Sequence, residues 1–169
     1  MAFTALDVKK LREMTNVGMM DCKKALQATD GDMDKAVDWL REKGLAKAAK
    51  KADRIAAEGV ALATVIDGVG VVIEVNAETD FASKTEAFQD LVKNLAIVVA
   101  KENPADVDAL KACKYPESNL TVTEIMQEKV MSIGENMQIR RFVRYADNTN
   151  VAYVHAGGTL ALFYVGKER

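Results

Sequence analysis

Cysteine and histidine are both scarce in this 169-residue chain, and each scarcity removes a class of function. Cys22 and Cys113 are its two cysteines, too few for a disulfide framework and without metal-ligand spacing, which predicts reduced thiols in a cytoplasmic setting. Cys22 falls inside a helical pattern, where a small half-buried residue is the ordinary reading. His155 is the lone histidine, so no histidine metal cluster and no paired-histidine acid–base site can be built within one chain. A Gly-rich phosphate loop ending in Gly-Lys-Ser/Thr is also missing, and Ala156-Gly157-Gly158 reads as a hairpin turn. No apolar run approaches the roughly 20 residues that span a bilayer, and Met1-Ala2-Phe3-Thr4 leads into a charged amphipathic segment, where no signal peptide is visible. A net charge of −2 with 28% charged residues describes a mixed-sign surface, which points away from nucleic acid as a direct partner. The expectation is a protein without a cofactor, without a metal and without a membrane contact.

What is present is enough apolar material to fold, at 49% of the residues. Thr4 followed by Asp7 fits a helix start, and Leu6, Val8, Leu11 and Met14 recur at helical spacing up to Asn16–Gly18. Met19, Met20, Cys22, Ala25 and Leu26 predict a second short helix stopped by Asp30-Gly31. Asp32 then starts a third, with Ala36, Val37 and Leu40 inward and Gly44 as its stop. Residues 1–44 therefore read as a three-helix bundle, too small to bury much area alone. Met19-Met20 suits either an irregular core or a protein-binding face. In so small a bundle the core reading leads, with the turn Asn16-Val17-Gly18 leaving one methionine free to face out.

Residues 45–57 are alanine-rich and basic, with Lys47, Lys50, Lys51 and Arg54, and read as a helical linker whose charges are solvated or dock on an acidic partner. Composition then shifts to β-branched residues. Val60–Ile66, a turn at Asp67-Gly68, and Val69–Val75 form a β-hairpin. Phe88, Leu91, Val92, Leu95, Ala96 and Val99 fit a long helix covering one face of that sheet. Pro104 and Pro116 mark an irregular connection over residues 103–118, followed by a helix over about 121–132 and a strand over 137–145. Residues 58–132 thus make a first α+β subdomain of antiparallel hairpin packed with helices. Residues 133–169 start a second, in which Val151–His155 and Thr159–Val165 form another hairpin, a weak internal duplication. This second unit lacks a covering helix. Either the chain is a truncated form or another subunit covers the exposed sheet; if it stops at Arg169, a homodimer through the uncovered hairpin is the first expectation.

Between the first hairpin and the long helix, Asn76-Ala77-Glu78-Thr79-Asp80-Phe81-Ala82-Ser83-Lys84 is rich in turn and cap formers, which holds Phe81 near a loop tip as a buried plug or a probe for a partner. Glu74, Glu78 and Asp80 cluster there, but carboxylates without a second class of functional group are more often solvated or capping than catalytic.

Several segments together resemble the elongation factor Ts family. They are residues 16–26 (Asn16-Val17-Gly18-Met19-Met20 onward), Gly31-Asp32 with Trp39-Leu40-Arg41-Glu42-Lys43-Gly44, the basic stretch from Leu45 to Ala52, Glu74–Phe81, and Ile133-Gly134-Glu135-Asn136, all in family order. The resemblance implies a guanine-nucleotide exchange factor for elongation factor Tu, acting in translation elongation with no covalent chemistry of its own. It also implies that the amino-terminal bundle, similar to ubiquitin-associated domains, docks on the nucleotide-binding domain of Tu through Met19, Met20 and Lys23. Thr79, Asp80, Phe81 and Ala82 match the family's intruding tip, associated with displacement of the bound magnesium ion, and Lys51 and His155 match family contact positions. The chain departs from the family where Ala82 replaces the commoner valine and Ala77 the commoner cysteine. The alternative is a free-standing protein-binding module that uses the bundle and leaves the tip idle.

Overall fold

The computed structural model describes residues 3–15, 17–146, 149–155 and 160–166. It contains two compact units, Met1–Asp53 with Met126–Gly134, and Arg54–Ile125 with Glu135–Arg169. Helices and antiparallel sheet together give the α+β class expected from the sequence.

In the first unit, α1 (Ala5–Thr15) begins where Thr4 and Asp7 exchange hydrogen bonds: the Thr4 amide donates to Asp7 Oδ2 at 2.7 Å, and the Asp7 amide to Thr4 Oγ1 at 3.4 Å. Each satisfies a backbone donor that the helix start leaves without an internal partner. Helix α2 (Met19–Ala28) ends in a turn whose Asp30 and Gly31 both take positive φ, 51° and 85°. Asp32 then caps α3, accepting from the Lys35 amide at 3.0 Å. Val8, Leu11, Val17, Cys22, Ala25, Leu26, Ala36 and Leu40 are the buried core.

The expected stop at Gly44 is not one. Helix α3 runs unbroken from Met33 to Lys51, and Gly44 is buried within it. A Cβ at Gly44 would stand 3.4 Å from Met131 Sδ and 3.7 Å from the Gln127 carbonyl, so the small residue serves helix–helix approach rather than termination. Met131, near the end of a later helix spanning Val122–Ile133, completes the bundle core. In the same stretch Glu128 Oε1 accepts from Arg41 Nε at 3.1 Å, and the Gly134 carbonyl accepts from Lys51 Nζ. The bundle is therefore finished by residues far downstream in the chain.

In the second unit, β1 (Glu58–Ile66) and β2 (Val69–Ala77) pair through the Asp67-Gly68 turn, whose positive φ values at both central residues suit a right-twisted hairpin. Strand β3 (Met137–Tyr145) adds antiparallel to β2, giving the order β1-β2-β3. Val71, Ile73, Val75 and Ala77 are all buried, the two-residue period of a strand with one covered face. Opposite β2 the register shifts at Glu74/Val75: Glu74 pairs with Arg141 but Val75 with Ile139, leaving Arg140 as an inserted bulge residue.

After β2 come a four-residue helix α4 (Asp80–Ser83) and the long helix α5 (Glu86–Glu102). Thr85 caps α5, and Asn103 ends it with φ 49°. Phe88, Leu91, Val92, Leu95, Ala96 and Val99 are buried on it, as the sequence periodicity predicts. The guanidinium of Arg144 donates to the Ala100 carbonyl from both Nε and Nη2, at 3.1 and 3.0 Å. The segment between the prolines is less irregular than expected, because Asp106 accepts from the Ala109 amide at 2.8 Å and so starts a short helix, α6 (Val107–Ala112). Helix α7 (Val122–Ile133) follows, its later part being the stretch that joins the bundle. Strands β4 (Thr149–His155) and β5 (Leu160–Gly166) form a separate antiparallel pair. Their expected turn, Ala156-Gly157-Gly158, lies outside the described residues.

Candidate functional site

Phe81 is not a buried plug: 81% of it is exposed. Its immediate successors Ala82 and Ser83 are buried, so an apolar ring stands out from a segment that is otherwise packed down. A helix of four residues cannot hold its shape by its own ladder, because nucleation costs more than one turn returns. Side chains hold it instead. Thr79 is the cap, its Oγ1 accepting from the Ala82 amide at 3.3 Å. The Glu135 carboxylate takes both donors of Thr79, the amide at 3.0 Å and the hydroxyl at 2.7 Å. Beside it Glu78 Oε1 accepts from the Asn136 amide at 2.6 Å, while the buried Asn136 side chain donates to the Arg54 carbonyl at 2.7 Å. At the far end of the tip, Gln89 Nε2 donates to the Ser83 carbonyl at 2.7 Å.

Asp80 does not cap the tip. Its Oδ2 lies 2.6 Å from Lys84 Nζ, an i,i+4 ion pair across one turn. That hydrogen bond, helped by the lysine's charge, holds the Asp80 carboxyl below its ordinary range and the Lys84 ammonium above its own. The other two carboxylates of the sequence cluster are likewise engaged separately. Glu74 pairs with Arg141 at 2.7 Å and Glu78 with Arg54 at 3.5 Å. Three carboxylates each turned to a different cation form no shared acid–base pair, and the arrangement is one of positioning.

The second group of residues singled out in the sequence opens α2. Met19 and Met20 are both exposed, at 49% and 65%, which overturns the core reading. The physical reason is Val17, which is buried one residue before the Gly18 cap, as is Cys22 four residues after it. These are the two positions of a hydrophobic staple, and Cys22 Sγ reaches the Val17 carbonyl at 3.6 Å. With the entry to the helix closed by that pair, the methionines are turned outward. Burial also pushes the Cys22 thiol up, leaving it a packing residue. Lys23, one turn beyond Met19, is exposed, and the neighbouring Asp21 binds Lys47 at 2.7 Å.

Lys51 is half-buried and donates to Gly134 within its own unit. His155 closes β4 through its backbone pairing with Leu160; its side chain lies outside the described residues. Among the described residues no helix is long and apolar enough to cross a membrane. The structure adds two residues to which sequence reasoning gave no role, Glu135 and Asn136. Their only signal was a place in the Ile133–Asn136 segment; what they bind lies more than fifty positions upstream.

The family model for elongation factor Ts matches residues 78–168, beginning with the tip. A curated elongation factor Ts from Trichlorobacter lovleyi is 50% identical over 167 residues, covering 96% of this chain and 54% of that protein. The chain spans about half the length of this relative.

Proposed function

Because the chain belongs to the elongation factor Ts family, we propose that it binds elongation factor Tu in the cytoplasm and speeds GDP release during translation elongation, without covalent chemistry. The observation that carries this reading is Phe81, a ring 81% exposed on a tip that hydrogen bonds fix in place. A nucleotide's phosphates are held by magnesium and by helix N-termini. A preorganised aromatic that enters beside them shifts those elements without first having to order itself. Thr79 and Ala82 build the tip, Asp80 is turned into its own turn by Lys84, and Phe81 is the wedge. Met19, Met20 and Lys23 form the grip, a flexible apolar pair with one charge, suited to docking rather than displacement. Lys51 and His155 enter as further contacts that the family implies.

Linkage sets a limit on any such factor: if it lowers the affinity of Tu for nucleotide, nucleotide lowers the affinity of Tu for it by the same ratio. Incoming GTP then helps expel the factor. The test is stopped-flow release of a fluorescent GDP from Tu over a range of factor concentrations. Phe81→Ala is expected to lower the release rate at saturation, and Met20→Ala to raise the concentration needed to reach it. Stimulation by Phe81→Ala equal to that of the parent protein would sink the wedge, and would favour a binding module that uses the bundle alone.

A further inference from the structure

The tip lacks a part that its own sequence ought to supply. In a capping box the cap hydroxyl accepts from the third helical amide, and the side chain at that third position reaches back to the cap's own amide. Here the cap is Thr79 and the third position is Ala82, whose methyl group cannot accept a hydrogen bond. The Thr79 amide is nevertheless satisfied, by Glu135 Oε2 at 3.0 Å, and the same carboxylate takes the Thr79 hydroxyl proton through Oε1 at 2.7 Å. The hydroxyl therefore donates to Glu135 while its lone pair serves the Ala82 amide, so its orientation is fixed from both sides. Glu135 is itself held in register by its neighbour, since the Asn136 amide binds Glu78 and the Asn136 side chain binds the Arg54 carbonyl.

We propose that Glu135 is the positioning residue of the wedge, completing from the β3 side of the fold the capping box that Ala82 leaves open and so fixing the direction in which Phe81 is presented. This rests on the exchange-factor reading for its functional half and on geometry alone for its structural half. Glu135 acts through Thr79 and needs no contact with Tu.

Two measurements separate those halves. Amide hydrogen exchange of Thr79 and Ala82 in the full chain reads the latch without Tu; saturating GDP release reads its use. For Glu135→Ala both amides are expected to exchange roughly tenfold faster or more, the scale of a lost charge-assisted hydrogen bond. The saturating release rate should fall by a similar factor, with half-saturation within about twofold of the parent. Glu135→Gln keeps one acceptor and should recover part of both effects. Thr79→Val should reproduce Glu135→Ala, and the double variant should be no worse than either single one, because both remove one unit. Unchanged amide exchange in Glu135→Ala overturns the latch. Faster exchange with release still at the parent rate overturns its positioning role. If Phe81→Ala also releases GDP like the parent, the exchange-factor reading has failed instead, and amide exchange still decides the latch.

Discussion

Two of the exposed apolar features of this chain are built in opposite ways. Phe81 sits on a segment capped by Thr79, clamped by Glu135 and closed by Gln89, whereas Met19 and Met20 open a helix whose cap is Gly18, a residue with no side chain to bond. One is a stiff ring on a braced mount. The other is a pair of unbranched thioethers that adapt to whatever they meet. The difference teaches that exposure alone does not define a contact: a group that must displace something has to be preorganised, and a group that must only hold on gains from flexibility.

The contrast breaks most readily at Phe81. Truncation of a buried interface aromatic commonly costs about 2 kcal/mol or more, so Phe81→Ala should slow saturating GDP release by roughly thirtyfold or more. Phe81→Leu, which keeps apolar bulk without the ring, should lie between. Next comes Gly44, which bears on the unit that carries Met19 and Met20. Alanine fits beside Met131, but Gly44→Leu drives side-chain atoms into α7 and should destabilise the first unit by about 1–3 kcal/mol. Thermal unfolding would register this, and an undiminished melting temperature would show that α7 moves aside. Met20→Ala should raise half-saturation by roughly tenfold or less, and Met20→Leu hardly at all, because a flexible apolar contact tolerates a change of shape.

The smallest expected effect is that of pH on the tip. The folded-state pKa of Asp80 is depressed by Lys84, so the pair's contribution is present above the unfolded carboxylate pKa. It is lost as pH falls through the folded value. The pair is exposed and screened, so its effect is small. Amide exchange at Lys84, whose backbone N–H bonds the Asp80 carbonyl, should rise slightly below the ordinary carboxylate range, beyond the intrinsic pH effect. Lys84→Met should abolish that rise, and a rise that survives in Lys84→Met would assign the sensitivity to another group.

Much of the fold was legible where the determinants are local. Asp67-Gly68 specifies a two-residue turn, the alternation of Val71, Ile73, Val75 and Ala77 specifies a covered strand, and Thr4–Asp7 specifies a helix start. Reading failed where the partner is distant. Gly44 looks like a stop until Met131 is seen beside it, and nothing near Thr79 in sequence announces Glu135. For Met19 the failure was subtler, since helical spacing places it on the same stripe as Cys22 and Leu26, whereas Met20 lies off that stripe. What displaces Met19 from the core is Val17, buried one residue before the cap. The tip residues themselves are legible as a motif, but what braces them, the hydrogen bonds to Glu135 and from Gln89, is something sequence order does not display.

Arg140 has a consequence for how this chain can change. Met137 and Ile139 pair with Ala77 and Val75, and beyond the inserted residue Phe142 and Arg144 pair with Ile73 and Val71. All four therefore share the face covered by α5, although 139 and 142 differ in parity. Losing one codon at Arg140 would set Arg141 directly after Ile139 and restore regular alternation, with Phe142 and Arg144 still opposite Ile73 and Val71; what would go is the bend and added twist of the bulge. Replacing the side chain at Arg140 would leave that bend in place. This strand thus carries a residue whose presence shapes the curvature of the sheet rather than the choice of which side chains face inward.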